Sequence, residues 1–532
     1  MNTRFAAALA LVALTGFISL SYEICWVRLY SFLTASRAWA FGAMLGTYLI
    51  GLALGSLWSL RFQDAKDGAN PKHLSALALF VLAANAIGFL VVPTVSWLAT
   101  FIPIDSMESH KGPLYALVTL PLVGVAAALL GATLPLICHF AIPPDEKAGA
   151  RLSYLYLANI LGSGAGSLLT GFVLMDRLSM QQISVFLASL GLLLSIGLAI
   201  YSQLRGAELG RRIGVAAAAG VAIFLTAPPL FDGLYERLQM KSDYKRGERF
   251  DLVVESRFGV VTVDKNHLIY GGGIFDGLIS TDLSPGSWMV RPYFLSAAHA
   301  APKDVLVIGL SGGTWTQILA HHPHVETVTA VEINAAYSER VIPRYDAVKS
   351  LLQNPKVEIV IDDGRRWLRN NPDKKFDAIV ANATLHWREH ASSLLSEEFM
   401  RQVKDHLKPG GVYLFNTTGS DRAAKTALEV FPDCALVLNN ILASNAPLQY
   451  DKDRWRRVLA AYSYDGVPLF DTTSEKGRAD IEEIVSMLDT AGDTSVEAAR
   501  RIWTREVLLE HPGTEKARTI TDDNLGHEFW YH

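Results

Sequence analysis

A membrane α-helical bundle of six or seven spans is predicted, followed by a soluble α/β domain with a small β unit at its start. Three observations carry that prediction. The chain of 532 residues is 50% hydrophobic and only 19% charged, against about 25% charged for an ordinary soluble domain. Its apolar residues concentrate before residue 231, in long runs interrupted by short charged loops. Beyond that point charge returns, and short β-rich runs alternate with helical patterns. The net charge of -4 and a pI near 6.4 argue against a dedicated nucleic-acid binder. Cys25, Cys138 and Cys434 are too few and too scattered for a disulfide framework or a zinc cluster, and no metal is expected.

Residues 1–231 form the predicted bundle, with apolar segments at 5–22, 38–60, 74–100, 113–140, 153–175, 181–204 and 213–231. A helix needs about 20 apolar residues to cross a bilayer. The first segment is too long for a signal-peptide core and has no clear cleavage site, so it is read as a retained span. The last is marginal, because its uninterrupted apolar stretch of 15 residues, 213–227, stops at Pro228-Pro229. With the N-terminus inside, the inner loops hold nine basic residues (Arg4, Arg61, Lys66, Lys72, Lys147, Arg151, Arg205, Arg211 and Arg212). The outer loops then hold four, Arg28, Arg37, Lys111 and Arg177, which favours this orientation. Six spans leave the second half in the cytoplasm, and seven put it outside. The cytoplasmic placement is favoured, with residues 213–231 lying in the interface. Gly51–Gly55 and Gly162–Gly166 carry the G-x-x-x-G spacing that lets helices approach closely. Glu23 with Arg28, and Pro135 with His139, are polar or kinking features at membrane depth.

The second half divides at 232–300, 301–450 and 451–532. Short β-rich runs at 250–254, 259–263 and 267–270, the last followed by Gly271-Gly-Gly, predict a small antiparallel unit. Strands at 305–308, 327–331, 357–361, 378–381 and 411–416 alternate with helical patterns from 315, at 335–345 and at 396–406. Such alternation means βαβ units and a parallel sheet. Residues 478–488 and 495–509 read as amphipathic helices of a C-terminal extension, which packs on the domain or on the membrane surface.

The order of these elements locates a ligand site. Gly309-Leu-Ser-Gly-Gly-Thr314 follows the first strand of the alternating region and opens its first helix. Gly309, Ser311, Gly312 and Gly313 there let the backbone approach a ligand at the helix N-terminus. Glu332 ends the next strand, 23 residues after Gly309, where an acid accepts hydrogen bonds from ribose hydroxyls. The third strand ends in Asp362-Asp363. An acid there accepts from an adenine amine, or else Asp363 is a helix N-cap. The glycines do not form a clean G-x-G-x-x-G. The set therefore favours an S-adenosylmethionine-type ligand over a dinucleotide.

These residues resemble the spermidine synthase family, the polyamine aminopropyltransferases. Val254-Glu-Ser-Arg-Phe-Gly259 is similar to the family's β-hairpin start, and Val305 to Thr314 to its cofactor loop. Val331-Glu-Ile, Asp362-Asp-Gly-Arg and Leu407-Lys-Pro-Gly-Gly411 match as well. The apolar half resembles the N-terminal part of bacterial fused transporter/spermidine-synthase-like membrane proteins, as does Thr521-Asp-Asp-Asn524 near the end. The resemblance implies a Rossmann-like methyltransferase-type fold in a bacterial inner-membrane protein. It also implies S-adenosylmethionine or its decarboxylated form as cofactor. The expected partners are membrane lipid and a small-molecule amine or other acceptor, with homodimerisation an open expectation and no nucleic acid.

The chain departs from the family where the chemistry should be. The resemblance implies a fourth strand ending in a run of acids, one of them base to the attacking amine. Here Asn382 takes the first acid's place, the second is absent, and Ser311 stands where the family often carries aspartate. An amine nucleophile must lose a proton, and asparagine cannot take it. His386-Trp-Arg-Glu-His390 lies just beyond. His386, Glu389 and His390 are candidate bases, Arg388 a candidate for holding an anionic substrate, and Trp387 for stacking. Tyr270 and Tyr293 lie in segments that line the substrate side in the family. The expected activity is aminopropyl or methyl transfer. The alternative is a catalytically degenerate sensing or assembly domain attached to the bundle.

Overall fold

The structure, a computed structural model, describes residues 3–62, 71–103, 112–201, 205–283, 288–382, 388, 391–489 and 501–525. It divides into two compact units, Met1–Val260 and Val261–His532.

The first unit is built on seven long helices: α1 (Thr3–Leu33), α2 (Trp39–Ser59), α3 (Pro71–Ala99), α4 (Gly112–Ala141), α5 (Ala148–Leu169), α6 (Met180–Tyr201) and α7 (Gly206–Phe231). All seven are long and apolar enough to cross a membrane, with mean hydropathy between 1.5 and 2.4. This corrects the reading of the seventh segment as short. α7 runs for 26 residues, starting seven residues earlier than its apolar core and continuing through Pro228 and Pro229. Proline's fixed φ is helical, and the Pro228 carbonyl still accepts from the Asp232 N–H at 3.0 Å.

The glycine spacing does what it predicts. A Cβ on Gly55 would collide with the Ala128 carbonyl on α4, and one on Gly162 with the Ala13 carbonyl on α1. These glycines let α2 lie on α4 and α5 on α1, backbone against backbone. Arg28, at the end of α1, donates to the carbonyls of Ser256 and Arg257 at 2.7 and 2.9 Å. Glu255 accepts from the Met180 N–H and the Tyr235 hydroxyl, both at 2.8 Å. Those bonds tie residues 255–257 to the helices, and a short helix α8 (Leu234–Met240) and strand β1 (Leu252–Ser256) belong to the same unit.

The division between the units falls inside β2 (Gly259–Val263). In the second unit, β2 pairs antiparallel with β3 (Leu268–Gly271), and β3 with β4 (Ile274–Leu278). The main sheet follows: β5 (Asp304–Ile308), β6 (Thr327–Glu332), β7 (Val357–Ile361), β8 (Phe376–Ala381), β9 (Leu407–Asn416), β10 (Asp433–Val437) and β11 (Asn440–Ser444). Its order is β10-β11-β9-β8-β5-β6-β7. The five strands β5 to β9 are parallel, as expected, while β11 and β10 add antiparallel to the edge at β9. Strand order reverses between β5 and β8, and ligands of such sheets sit at the strand carboxyl ends beside that reversal. Leu306, Ile379, Phe399, Tyr413 and Phe431 are fully buried in one core beneath it.

The C-terminal extension packs on this unit. Trp455, on a helix spanning Lys452–Ala461, donates its indole N–H to the Tyr293 carbonyl at 3.0 Å. Arg505 donates to the carbonyls of Leu428 and Phe431. Of the helix expected at 495–509, residues 490–500 lie outside the described residues, and Arg505–Glu510 is helical.

Candidate active site

The glycine-rich turn crosses from β5 to helix α9 (Thr314–Ala320) through three left-handed residues, Gly309 at φ +89°, Ser311 at +49° and Gly313 at +83°. Glycine adopts this conformation without penalty, whereas serine pays for it. Two hydroxyls hold the turn against β4. Ser311 Oγ donates to the Asp276 carbonyl at 2.9 Å, and Thr314 Oγ1 to the Leu278 carbonyl at 2.8 Å. On the other side Glu332 Oε2 accepts the N–H groups of Leu310 at 2.8 Å and Ser311 at 3.4 Å, while Oε1 accepts that of Asn334 at 2.8 Å. Glu332 is buried, and burial raises its carboxyl above the ordinary range against the opposing pull of these donors. The acid at the end of β6 therefore shapes the loop.

A cavity of about 340 Å³ opens between this turn, β3–β4 and the ends of β8 and β9. Ser311, Gly312, Asn382 and Arg388 line it, together with Asp276, Arg291 and Asn416. A Cβ on Gly312 would lie 2.9 Å from Ile279 Cγ1, so the turn passes too close for a side chain. Asp276 Oδ2 accepts the Tyr337 hydroxyl at 2.5 Å, and Oδ1 lies 4.0 Å from Arg388. Burial and the neighbouring Asp276 carboxylate raise the Tyr337 phenol well above its ordinary value, so it stays a donor.

Other expected residues fall elsewhere. Asp363 caps a helix spanning Gly364–Asn370, accepting the Arg366 N–H at 2.7 Å, as the N-cap alternative foresaw. Asp362 accepts from the Asp363 N–H at 2.7 Å and pairs with Arg366. Neither aspartate lines the cavity. Tyr293 is fully buried, donating to the Thr281 carbonyl at 2.9 Å and bonded to the Tyr464 hydroxyl at 2.6 Å. Tyr270 packs edge-on against Phe275, and neither tyrosine lines the cavity. His386, Trp387, Glu389 and His390 lie outside the described residues. Asp276 and Arg291 were missed. The signal for Asp276 was a lone acid in the apolar strand Ile274–Leu278; Arg291 had no local signal.

Residues 294–430 match the spermine/spermidine synthase domain. This is a spermidine synthase-family domain. The polyamine aminopropyltransferase of Mycobacterium tuberculosis is 25% identical over 440 residues, covering 79% of each chain. The second unit has only 272 residues, 261–532, so that alignment takes in part of the helical unit. The polyamine aminopropyltransferase of Thermococcus kodakarensis is 36% identical over 133 residues, 24% of this chain and 44% of the relative. Among solved structures, the spermidine synthase of Thermotoga maritima shows 22% identity over 41% of this chain and 80% of its own, with a TM-score of 0.33. Human methyltransferase-like protein 13, solved with SAH, shows 19% identity, covering 39% and 90%, with a TM-score of 0.25. Where the family's fourth strand carries acids, the spermidine synthase-family domain of this chain ends β8 on Asn382, at the cavity wall.

Proposed function

We propose that the chain is a membrane-bound transferase that binds S-adenosylmethionine or its decarboxylated form and passes a methyl or aminopropyl group to an acceptor other than putrescine. One observation carries the reading: the cavity at the strand reversal has the glycine-rich turn as one wall and a neutral Asn382 at the end of β8 as another. A bound sulfonium supplies an electrophilic carbon; the acceptor's lone pair forms the new bond while the carbon–sulfur pair leaves to sulfur as a neutral thioether. The chain's part is to hold both reactants in line and to take the acceptor's proton. Asn382 and Asn416 have no basicity, and Asp276 is already committed to Tyr337 and faces Arg388. The proton therefore goes to His386, Glu389 or His390. A putrescine dication finds one carboxylate and two guanidinium groups lining this cavity, and is poorly held.

A sulfonium nucleoside is made in the cytoplasm, so the reading places the second unit there. This demands that α7 lie along the membrane surface, or that the N-terminus be outside. Lipid is then a partner of the first unit, whose helices expose Leu54, Leu161, Phe172, Phe224 and Leu225.

A thermal-shift screen of candidate acceptors on the cofactor-loaded protein, followed by product analysis, tests the function. Methyl or aminopropyl transfer to a less cationic acceptor is expected. Robust spermidine formation from putrescine and the decarboxylated cofactor would refute it. If acceptors and cofactors alike fail to bind the folded protein, the sensing or assembly reading takes its place.

A further inference from the structure

We propose that the cavity recognises a carboxylate, and that this carboxylate is the one on the amino-acid tail of intact S-adenosylmethionine. The inference rests on the reading above that the glycine-rich turn holds an adenosyl sulfonium, and it chooses between the two forms of that cofactor.

The charges lining the cavity are Asp276, Arg291 and Arg388, a sum of one positive. Asp276 is oriented by the Tyr337 hydroxyl at 2.5 Å and shares its other oxygen with Arg388 at 4.0 Å. Arg291 is oriented by a neutral group: its Nε donates to Asn439 Oδ1 at 2.8 Å. Asn439 is itself fixed, its carbonyl accepting the N–H and hydroxyl of Thr417 at 2.8 and 3.0 Å. Burial lowers Arg291 to about 10, so it remains charged at neutral pH in a desolvated place, where an anion gains most. The turn residues Ser311 and Gly312 share the cavity with both guanidinium groups, so a tail extending from a sulfonium held at the turn runs toward them.

Charge balance then separates the two cofactor forms. The decarboxylated compound carries a sulfonium and an ammonium, two positive charges, into a cavity that is already positive. Intact S-adenosylmethionine adds one negative charge at the end of the same tail. A planar guanidinium matches a carboxylate with paired hydrogen bonds, and Asp276 remains for the ammonium.

The two cofactors differ by one carboxylate, so titrating each into the full-length protein in detergent is the test. Intact S-adenosylmethionine is expected to bind at least about tenfold more tightly. Arg291→Met and Arg388→Met should each erode that preference, with Arg→Lys at either site restoring part of it. The ratio is the readout, and a melting curve on each variant confirms that it folds. Equal binding, or tighter binding of the decarboxylated form, would overturn the inference. So would a preference that survives both methionine variants. Equal binding with weaker occupancy by succinate in the variants would assign the carboxylate to the acceptor and overturn it too. Binding of neither cofactor to the folded protein would instead overturn the functional reading on which it rests.

Discussion

Gly313 has φ +83°, and a Cβ there would sit 2.9 Å from Ile342 Cδ1. Gly313→Ala should cost roughly 1–3 kcal/mol, read as a lower urea midpoint, and weaken cofactor binding because the turn shifts. Ser311→Ala removes the 2.9 Å bond to the Asp276 carbonyl and should cost about 1 kcal/mol. Glu332→Gln exchanges one acceptor oxygen for an amide donor facing backbone N–H groups, and cofactor affinity should fall about tenfold or more. Calorimetry on the three variants checks all of this, and unchanged affinity in Glu332→Gln would contradict the loop-anchoring role. At this scale the sequence made Gly309, Gly312 and Glu332 legible, because a turn and an acid at consecutive strand ends are local features. What Glu332 grips was not legible, since its partners Leu310 and Ser311 are joined to it only by the fold. Asp362 and Asp363 show the converse: an acid at a strand end is also an acid at a helix start, and here the nearby Arg366 uses both.

Among elements, the loop after α9 carries a pH-sensitive group. His322 is buried, and desolvation, with the neighbouring His324 next in importance, lowers it to about 3. Its Nδ1 accepts the His324 N–H at 3.1 Å, a bond that needs the neutral ring. The unfolded chain protonates near 6.5, so between about 6.5 and 3 it binds more protons than the folded one. Stability contributed by His322 is therefore present above 6.5 and lost as pH falls toward 3, by at most about 1.4 kcal/mol per pH unit. Melting temperature against pH should flatten in that window for His322→Gln, and an unchanged slope would contradict the assignment. The parallel strands were legible from their apolar runs. The β10–β11 pair was not, because its two-residue turn uses Leu438 at φ +57° where a hairpin signal would have been glycine or asparagine. The length of α7 was hidden for a related reason: its first turns carry Glu208, Arg211 and Arg212, which break the apolar run without breaking the helix.

For the molecule as a whole, seven helices of this length and hydropathy should keep the full chain in the membrane fraction through carbonate washing, and release by that wash would contradict the membrane reading. A reporter active only in the cytoplasm, fused after Glu236 and again after His532, should be active at both points. Activity only from a periplasmic reporter would put the second unit outside, away from its cofactor. The central claim is that the turn from Gly309 to Thr314 and the cavity beside it hold an adenosyl sulfonium. Its most direct test is calorimetric titration of the purified full-length protein with S-adenosylmethionine, its decarboxylated form and methylthioadenosine, repeated on Gly312→Val, whose side chain has no room beside Ile279. The expected result is one saturable site for at least one of the three, lost in the folded variant; no binding by any of them to the folded wild-type chain would contradict the account.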